Sequence, residues 1–230
     1  MVNPMLLSTR RLLLAIVLVF SVSGGTALEA ATTPNKTPRK ILVFGGSGQL
    51  GSQVVRALIG AGHDVTVFVR PTSERDRLAD LKVHYIEGDV TVEADVRRAM
   101  QTTRFDVVVD ALGRSGAEVG FFAISGTNIA KWASATGVKQ LILHSSVGAG
   151  QSKDAYPAER YSAMRALFVA KETGENAAIA SGVAYTIIRN AVLRDPADDV
   201  PERARLVSED RKSTRLNSSH VSESRMPSSA

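Results

Sequence analysis

Residues 40–51 read KILVFGGSGQLG, and residues 52–61 continue SQVVRALIGA. Four apolar residues, 41–44, run into a glycine-rich string and then directly into an amphipathic pattern. This order predicts strand, tight turn and helix. The string contains G-x-G-x-x-G in Gly46, Gly48 and Gly51, and G-x-x-G-x-x-G in Gly45, Gly48 and Gly51. A turn this tight needs a residue that tolerates positive φ, and the backbone must approach a pyrophosphate with no Cβ in the way. The helix that follows offers free N–H groups and the positive end of its dipole to the phosphates. Residues Gly45, Gly46, Ser47, Gly48, Gln49, Leu50 and Gly51 are therefore read as a phosphate-binding loop.

Outward from this loop, short apolar strands alternate with helical segments. Strands are expected at 41–44, 64–69, 83–87, 106–111, 140–144 and 184–189. Helices are expected at 49–61, at 92–103 with Thr91 as N-cap, at 124–136, and at 158–181 with an interruption at Gly174. The run DVVVDA at 106–111 is apolar throughout its centre, as in a strand buried on both faces of a parallel sheet. Repeated βα units of this length imply right-handed crossovers. The fold class is α/β: a doubly wound, mostly parallel Rossmann sheet with helices on both faces and a truncated C-terminal part. With 230 residues the chain accommodates one such domain and not two large ones.

The two ends read differently. Arg10 and Arg11 precede an apolar run at 12–20 and then small residues to Ala27, the pattern of a signal peptide over 1–30. The run is shorter than the roughly 20 residues a membrane span requires. The sequence TRRLLL at 9–14 resembles the twin-arginine export motif, and an ordinary secretory signal fits equally; either predicts export to a bacterial periplasm. Residues 31–39 read as a linker. From residue 210 the chain reads DRKSTRLNSSH and then VSESRMPSSA, similar to two segments of a translated sequencing-library adapter in their proper order. The dinucleotide-binding domain is thus expected at 40–209, with a non-native tail at 210–230.

The formal charge of +5 shrinks once both ends are set aside, to 22 basic against 20 acidic side chains, so no nucleic-acid partner is implied. No stable membrane span is expected in the mature protein. The absence of cysteine excludes disulfides, thiolate metal sites and thiol nucleophiles. His84 and His144 read as strand residues without carboxylate or histidine neighbours at ligand spacing, so no metal is expected. Trp132 reads as a half-buried packing residue.

The cofactor choice turns on the end of the second strand. A site selective for NAD carries Asp or Glu there to bond the ribose hydroxyls. Here the strand closes with Phe68-Val69-Arg70. A guanidinium favours a 2′-phosphate, so NADP(H) is the expected cofactor, with NADPH preferred over NADH. Arg75 and Arg77 stand nearby as further cations. Asp89 and Val90 after the third strand are read as the adenine-side contact, and Ala111, Leu112 and Gly113 as small residues along which the dinucleotide lies.

The order FGGSGQLG, VR, EGDV, DALG, LILHSSVGAG, a KxxxE helix and AYTIIR, over about residues 40–193, resembles the atypical short-chain dehydrogenase/reductases, and most closely their NmrA-like or NAD(P)H-binding group. Active members of the wider family combine a strand-five serine, a tyrosine and a lysine four residues later. The resemblance implies that Ser145 and Lys171 contact cofactor, and that Ser146, Tyr161 and Lys171 are the catalytic candidates. The pattern departs at three places. Leu167, not Tyr, stands four before Lys171; Tyr161 is followed by Arg165, as Tyr156 is by Arg160; and Asn190 replaces the family's proline. Two functions follow from the resemblance. One is an NADPH-dependent reductase acting on a small carbonyl or quinone-like molecule. The other is a non-catalytic NADP(H)-binding redox sensor, regulator or assembly protein.

Overall fold

The structure, a computed structural model, describes residues 37–113, 118 and 120–190. The expected leader, most of the linker, residues 191–209 and the expected tail lie outside the described residues.

Six strands form one sheet: β1 (Lys40–Phe44), β2 (Asp64–Val69), β3 (His84–Glu87), β4 (Val107–Asp110), β5 (Gln140–Ser146) and β6 (Ala184–Asn190). All pairings are parallel, in the order β3-β2-β1-β4-β5-β6. Four helices cross between them: α1 (Gln49–Gly60), α2 (Glu93–Gln101), α3 (Phe121–Ala135) and α4 (Ala158–Ala180). This is the doubly wound Rossmann arrangement. Strand β1 is central because its side chains are apolar on both faces, so neither face can meet water. Leu42 and Phe44 face a core shared with Val96 and Met100 of α2, Ile129 of α3 and Ala178 of α4. Ile41 and Val43 face Val54, Val55 and Leu58 of α1. Trp132 is half-buried against the first of these cores, as its helical spacing implied.

Two local expectations are corrected. Thr91 does not cap α2. Its N–H and hydroxyl both donate to the Asp89 carboxylate, at 2.8 and 2.7 Å, and Val92 takes the N-cap position without a side-chain bond. A charged acceptor two residues away outcompetes the helix end for the threonine. Gly174 does not interrupt α4, which runs unbroken for 23 residues. It lies where α3 and α4 cross, and a Cβ on Gly126 of α3 would stand 2.6 Å from the Gly174 Cα. Both glycines serve the close approach of two backbones.

That crossing gives a prediction with a sign. Helix propensity alone makes Gly126→Ala stabilising by roughly 1 kcal/mol. The 2.6 Å contact instead forces the helices apart, and overpacking of this kind costs about 1–3 kcal/mol. Urea unfolding is expected to show G126A less stable than wild type and G174A, whose Cβ finds more room, closer to it.

Candidate dinucleotide site

The sheet reverses its winding between β1 and β4, and the loops at their carboxyl ends part there. The glycine loop fills this crevice. Gly45 leaves β1 at φ +75°, and its carbonyl accepts the Gly48 N–H at 3.1 Å. The Gly48 carbonyl then accepts from Ser52 at 2.9 Å, which starts α1. A Cβ on Gly51 would lie 2.0 Å from the Gly45 oxygen, so only glycine lets the helix begin this close to the strand. Gly48 caps α1 without a side chain, and the first turn holds no acidic residue. The positive end of the helix dipole is thereby left for an external anion. Gly48 and Gln49 are exposed, Ser47 and Leu50 half-buried, and Gly46 buried.

On one side of the loop lie the ends of β2 and β3. Arg70, the first residue past β2, is exposed, and its backbone N–H donates to Ser73 Oγ at 3.1 Å. The two neighbouring arginines separate. Arg75 pairs with Glu87 and lies over the Tyr85 ring at 4.8 Å. Arg77 instead lines a cleft of about 350 Å³ with Gln49, Gln53 and Arg56. Asp89 accepts from Thr91, and its N–H donates to Asp95 at 2.9 Å. The Val90 carbonyl accepts from Asn128 Nδ2 at 3.0 Å, which ties this turn to α3.

On the other side lie the ends of β4, β5 and β6. Ala111 donates to the Phe44 carbonyl at 3.0 Å, and Leu112 donates to the Asp110 carboxylate at 3.0 Å. A Cβ on Gly113 would meet no atom within 4 Å, so nothing described closes this edge. Ser146 is half-buried at the end of β5, opposite Asn190 in the register. Ser145 is 1% exposed, and its hydroxyl has no hydrogen-bond partner among the described residues. Lys171 is buried, with Nζ 4.2 Å from the centre of the Phe122 ring. Tyr161 is not beside it. Ten residues of helix separate the two by about 15 Å along the axis, and Tyr161 packs instead on Phe168, with ring centroids 5.5 Å apart.

The sequence reading missed the charge at the bottom of this half. Asp110 is 4% exposed, and burial pushes its carboxyl up to about 6, opposed by the Leu112 N–H and by Lys171. Burial likewise pushes the Lys171 ammonium down, opposed by Asp110 and Glu175. Glu175 holds Arg189 of β6 through two bonds of 2.7 and 3.0 Å. His144, on β5, is pushed down to about 4, first by burial and then by the Lys171 charge, against the Leu112 backbone. An aspartate ending a strand as apolar as VVVD was the available signal. Among the described residues no group of His, Asp and Glu could hold a metal ion, and no helix is long and apolar enough to cross a membrane.

Comparison with known proteins agrees with this geometry. Residues 45–224 match the family described as NAD(P)H-binding, and the chain belongs to that family. Over 209 residues it is 29% identical to the chloroplast protein TIC 62 of Pisum sativum, an alignment covering 78% of this chain and 38% of the relative. It therefore spans well under half the length of that protein. Over 92 residues it is 35% identical to the chloroplast stem-loop binding protein of 41 kDa b of Arabidopsis thaliana, covering 35% of this chain and 24% of that one. Two solved structures share the fold. The Bordetella bronchiseptica enzyme WbmG in complex with NAD has 24% identity and a TM-score of 0.56, covering 68% of this chain and 54% of that one. The anaerobillin reductase ChuY of Escherichia coli O157:H7 has 20% identity and a TM-score of 0.57, covering 65% and 71%.

The buried groups predict opposed pH dependences. Asp110, raised from 3.8 to about 6, makes the folded state hold a proton the unfolded state has released, so its contribution declines as pH rises through that window. His144, lowered from 6.5 to about 4, does the reverse, and its contribution grows over nearly the same range. The two slopes offset each other in the wild type. Between pH 4 and 6.5, Asp110→Asn is expected to make stability rise more steeply with pH, and His144→Phe to make it fall. Each change should be on the order of 1 kcal/mol per pH unit in urea unfolding. Parallel curves for all three proteins would contradict the assignment.

Proposed function

We propose that this member of the NAD(P)H-binding family is an NADPH-dependent oxidoreductase whose dinucleotide lies across the β1/β4 crevice. The observation that carries the cofactor choice is Arg70, an exposed guanidinium at the end of β2, where a diol-binding carboxylate would stand in an NAD site. The cation-bearing cleft of Arg77 beside Gln49 supports the same choice. The loop fits a pyrophosphate because no side chain occupies the amide cradle at Gly48. The adenosine half then falls on the Arg70 and Asp89 side, and the nicotinamide half on the β4 to β6 side.

Bound NADPH supplies a hydride, and reduction of a carbonyl also requires a proton at oxygen. This chain offers the Ser146 hydroxyl, half-buried at the carboxyl end of β5, to relay that proton from solvent, and Lys171 of α4 to hold the ribose. Burial lowers the Lys171 ammonium's pKa, and the Asp110 and Glu175 carboxylates oppose that shift. Leu167 in place of a tyrosine favours a second reading, a sensor that binds NADP(H) without turning it over. Consumption of NADPH in the presence of a carbonyl and quinone panel separates the two.

The cofactor reading is tested by titration. Wild type is expected to bind NADPH more tightly than NADH. Charge-assisted hydrogen bonds contribute about 1.5–3 kcal/mol, so Arg70→Ala should lose roughly 10- to 100-fold in NADPH affinity and leave NADH unchanged. Equal affinities in the wild type would remove the argument from Arg70. No binding of either would remove the oxidoreductase reading altogether.

A further inference from the structure

The turn Gly88-Asp89-Val90-Thr91 after β3 belongs to neither strand nor helix, yet side chains hold it on both sides. Gly88 admits no side chain, since a Cβ would meet the Phe68 ring at 2.8 Å and the Asp95 Cβ at 2.9 Å. Asp95 of α2 accepts the Asp89 N–H at 2.9 Å. From α3 comes Asn128, 8% exposed, whose Nδ2 donates to the carbonyls of Val90 at 3.0 Å and Thr91 at 3.3 Å. Both hydrogens of one amide are thus committed to two successive carbonyls. Helix α3 has other means of staying in place. Lys131 and Trp132, three and four positions on, both donate to Glu93 of α2, at 2.7 and 3.3 Å. Ile129 and Ala130 beside Asn128 are buried in the core. What Asn128 adds to this docking is the orientation of one peptide.

The Val90 carbonyl and the Thr91 N–H belong to the same planar trans peptide and point in opposite directions. Asn128 draws the carbonyl toward α3, so the N–H faces away from it. There the N–H donates to the Asp89 carboxylate at 2.8 Å, and the Thr91 hydroxyl joins it at 2.7 Å. The half-buried Asp89 carboxylate is therefore kept on the side of the turn away from α3, past the carboxyl end of β3. A reversed peptide would withdraw the Thr91 N–H from Asp89 and release the carboxylate to turn.

We propose that Asn128 is a positioning residue for recognition of the base: by fixing the Val90–Thr91 peptide it holds the Asp89 carboxylate where that group accepts the exocyclic amine of adenine. Adenine presents a donor at its 6-position, whereas a 6-oxo purine presents an acceptor there. A carboxylate held in place attracts the first and repels the second, and one free to turn does neither. The inference rests on the NADP(H) reading for what occupies the crevice, and it adds selectivity for the base at the far end of the same ligand.

The test is a cycle of proteins and ligands on the full chain. NADPH is compared with reduced nicotinamide hypoxanthine dinucleotide phosphate, which differs from it only in the 6-oxo base, and binding is measured by calorimetry. Wild type is expected to prefer NADPH by roughly tenfold or more, the scale of a hydrogen bond to a charged acceptor. Asn128→Ala should lose most of that preference, weakening NADPH by roughly five- to tenfold and the hypoxanthine analogue by less than about twofold. Asn128→Ser, whose shorter side chain cannot span both carbonyls, disturbs the fold less and should fall between. Retained binding of the analogue shows that the rest of the site survives each substitution. An unchanged preference in both variants, equal weakening of both ligands, or a wild type indifferent to the base would overturn the proposal and leave the NADP(H) reading standing. Loss of both ligands by both variants would make Asn128 a structural residue only and overturn it likewise. A wild type that binds neither dinucleotide would sink the NADP(H) reading and the proposal with it.

Discussion

The site depends on one close contact, that of the Gly51 backbone with the Gly45 carbonyl. With no Cβ at Gly51, α1 begins directly beneath the end of β1 rather than several ångströms away. Its first turn therefore points into the crevice between β1 and β4. The same closeness brings Val54, Val55 and Leu58 down onto Ile41 and Val43, so the packing that buries the core also aims the helix dipole. Fold and anion site are not separable here. A bulkier residue at Gly51 would move the helix and dismantle both.

From that origin the two halves of the crevice take different physical characters. The β2/β3 side is wet and carries charges of both signs. Arg70 is exposed there, and Arg75 is already held by Glu87. The β4 to β6 side is dry, with Asp110, Lys171, Glu175 and Ser145 all nearly excluded from water. Ion pairs in such a place cost desolvation that their attraction only partly offsets, and removing one partner leaves the other uncompensated. The bidentate Glu175–Arg189 pair joins α4 to the end of β6, and so fixes the strand end that carries Asn190.

Much of this was legible in the sequence, for reasons that follow from locality. The glycine loop could be read because the positive φ of Gly45 and the approach of Gly48 and Gly51 to the Gly45 carbonyl are local constraints, whereas the Gly46 contact with Val67 is not. The strands could be read because a parallel sheet buried on both faces demands uninterrupted apolar runs, and most boundaries agree within one or two residues. Gly174 was misread as a break because helix propensity is local, whereas its reason is Gly126, forty-eight positions away. Thr91 was misread because Asp89 competes for it. Arg75 and Arg77 looked equivalent until β3 placed Glu87 against only one of them. Asp110 stood in plain view, but its partner Lys171 comes from another βα unit. The separation of Tyr161 from Lys171, by contrast, needs only the helical rise.

Where the phosphates of the dinucleotide go decides most directly between NADP(H) in the crevice and any other arrangement. Phosphorus NMR of NADPH titrated with the protein observes them one by one. Binding across the crevice, with the pyrophosphate at the glycine loop and the 2′-phosphate at Arg70, predicts that all three resonances shift and broaden together. It also predicts that the 2′-phosphate, with an ordinary second pKa of about 6, titrates at lower pH when bound, because the guanidinium favours its dianion. A 2′-phosphate that keeps its free shift and titration while the pyrophosphate moves would contradict the NADP(H) assignment. Three unmoved resonances would contradict the site itself.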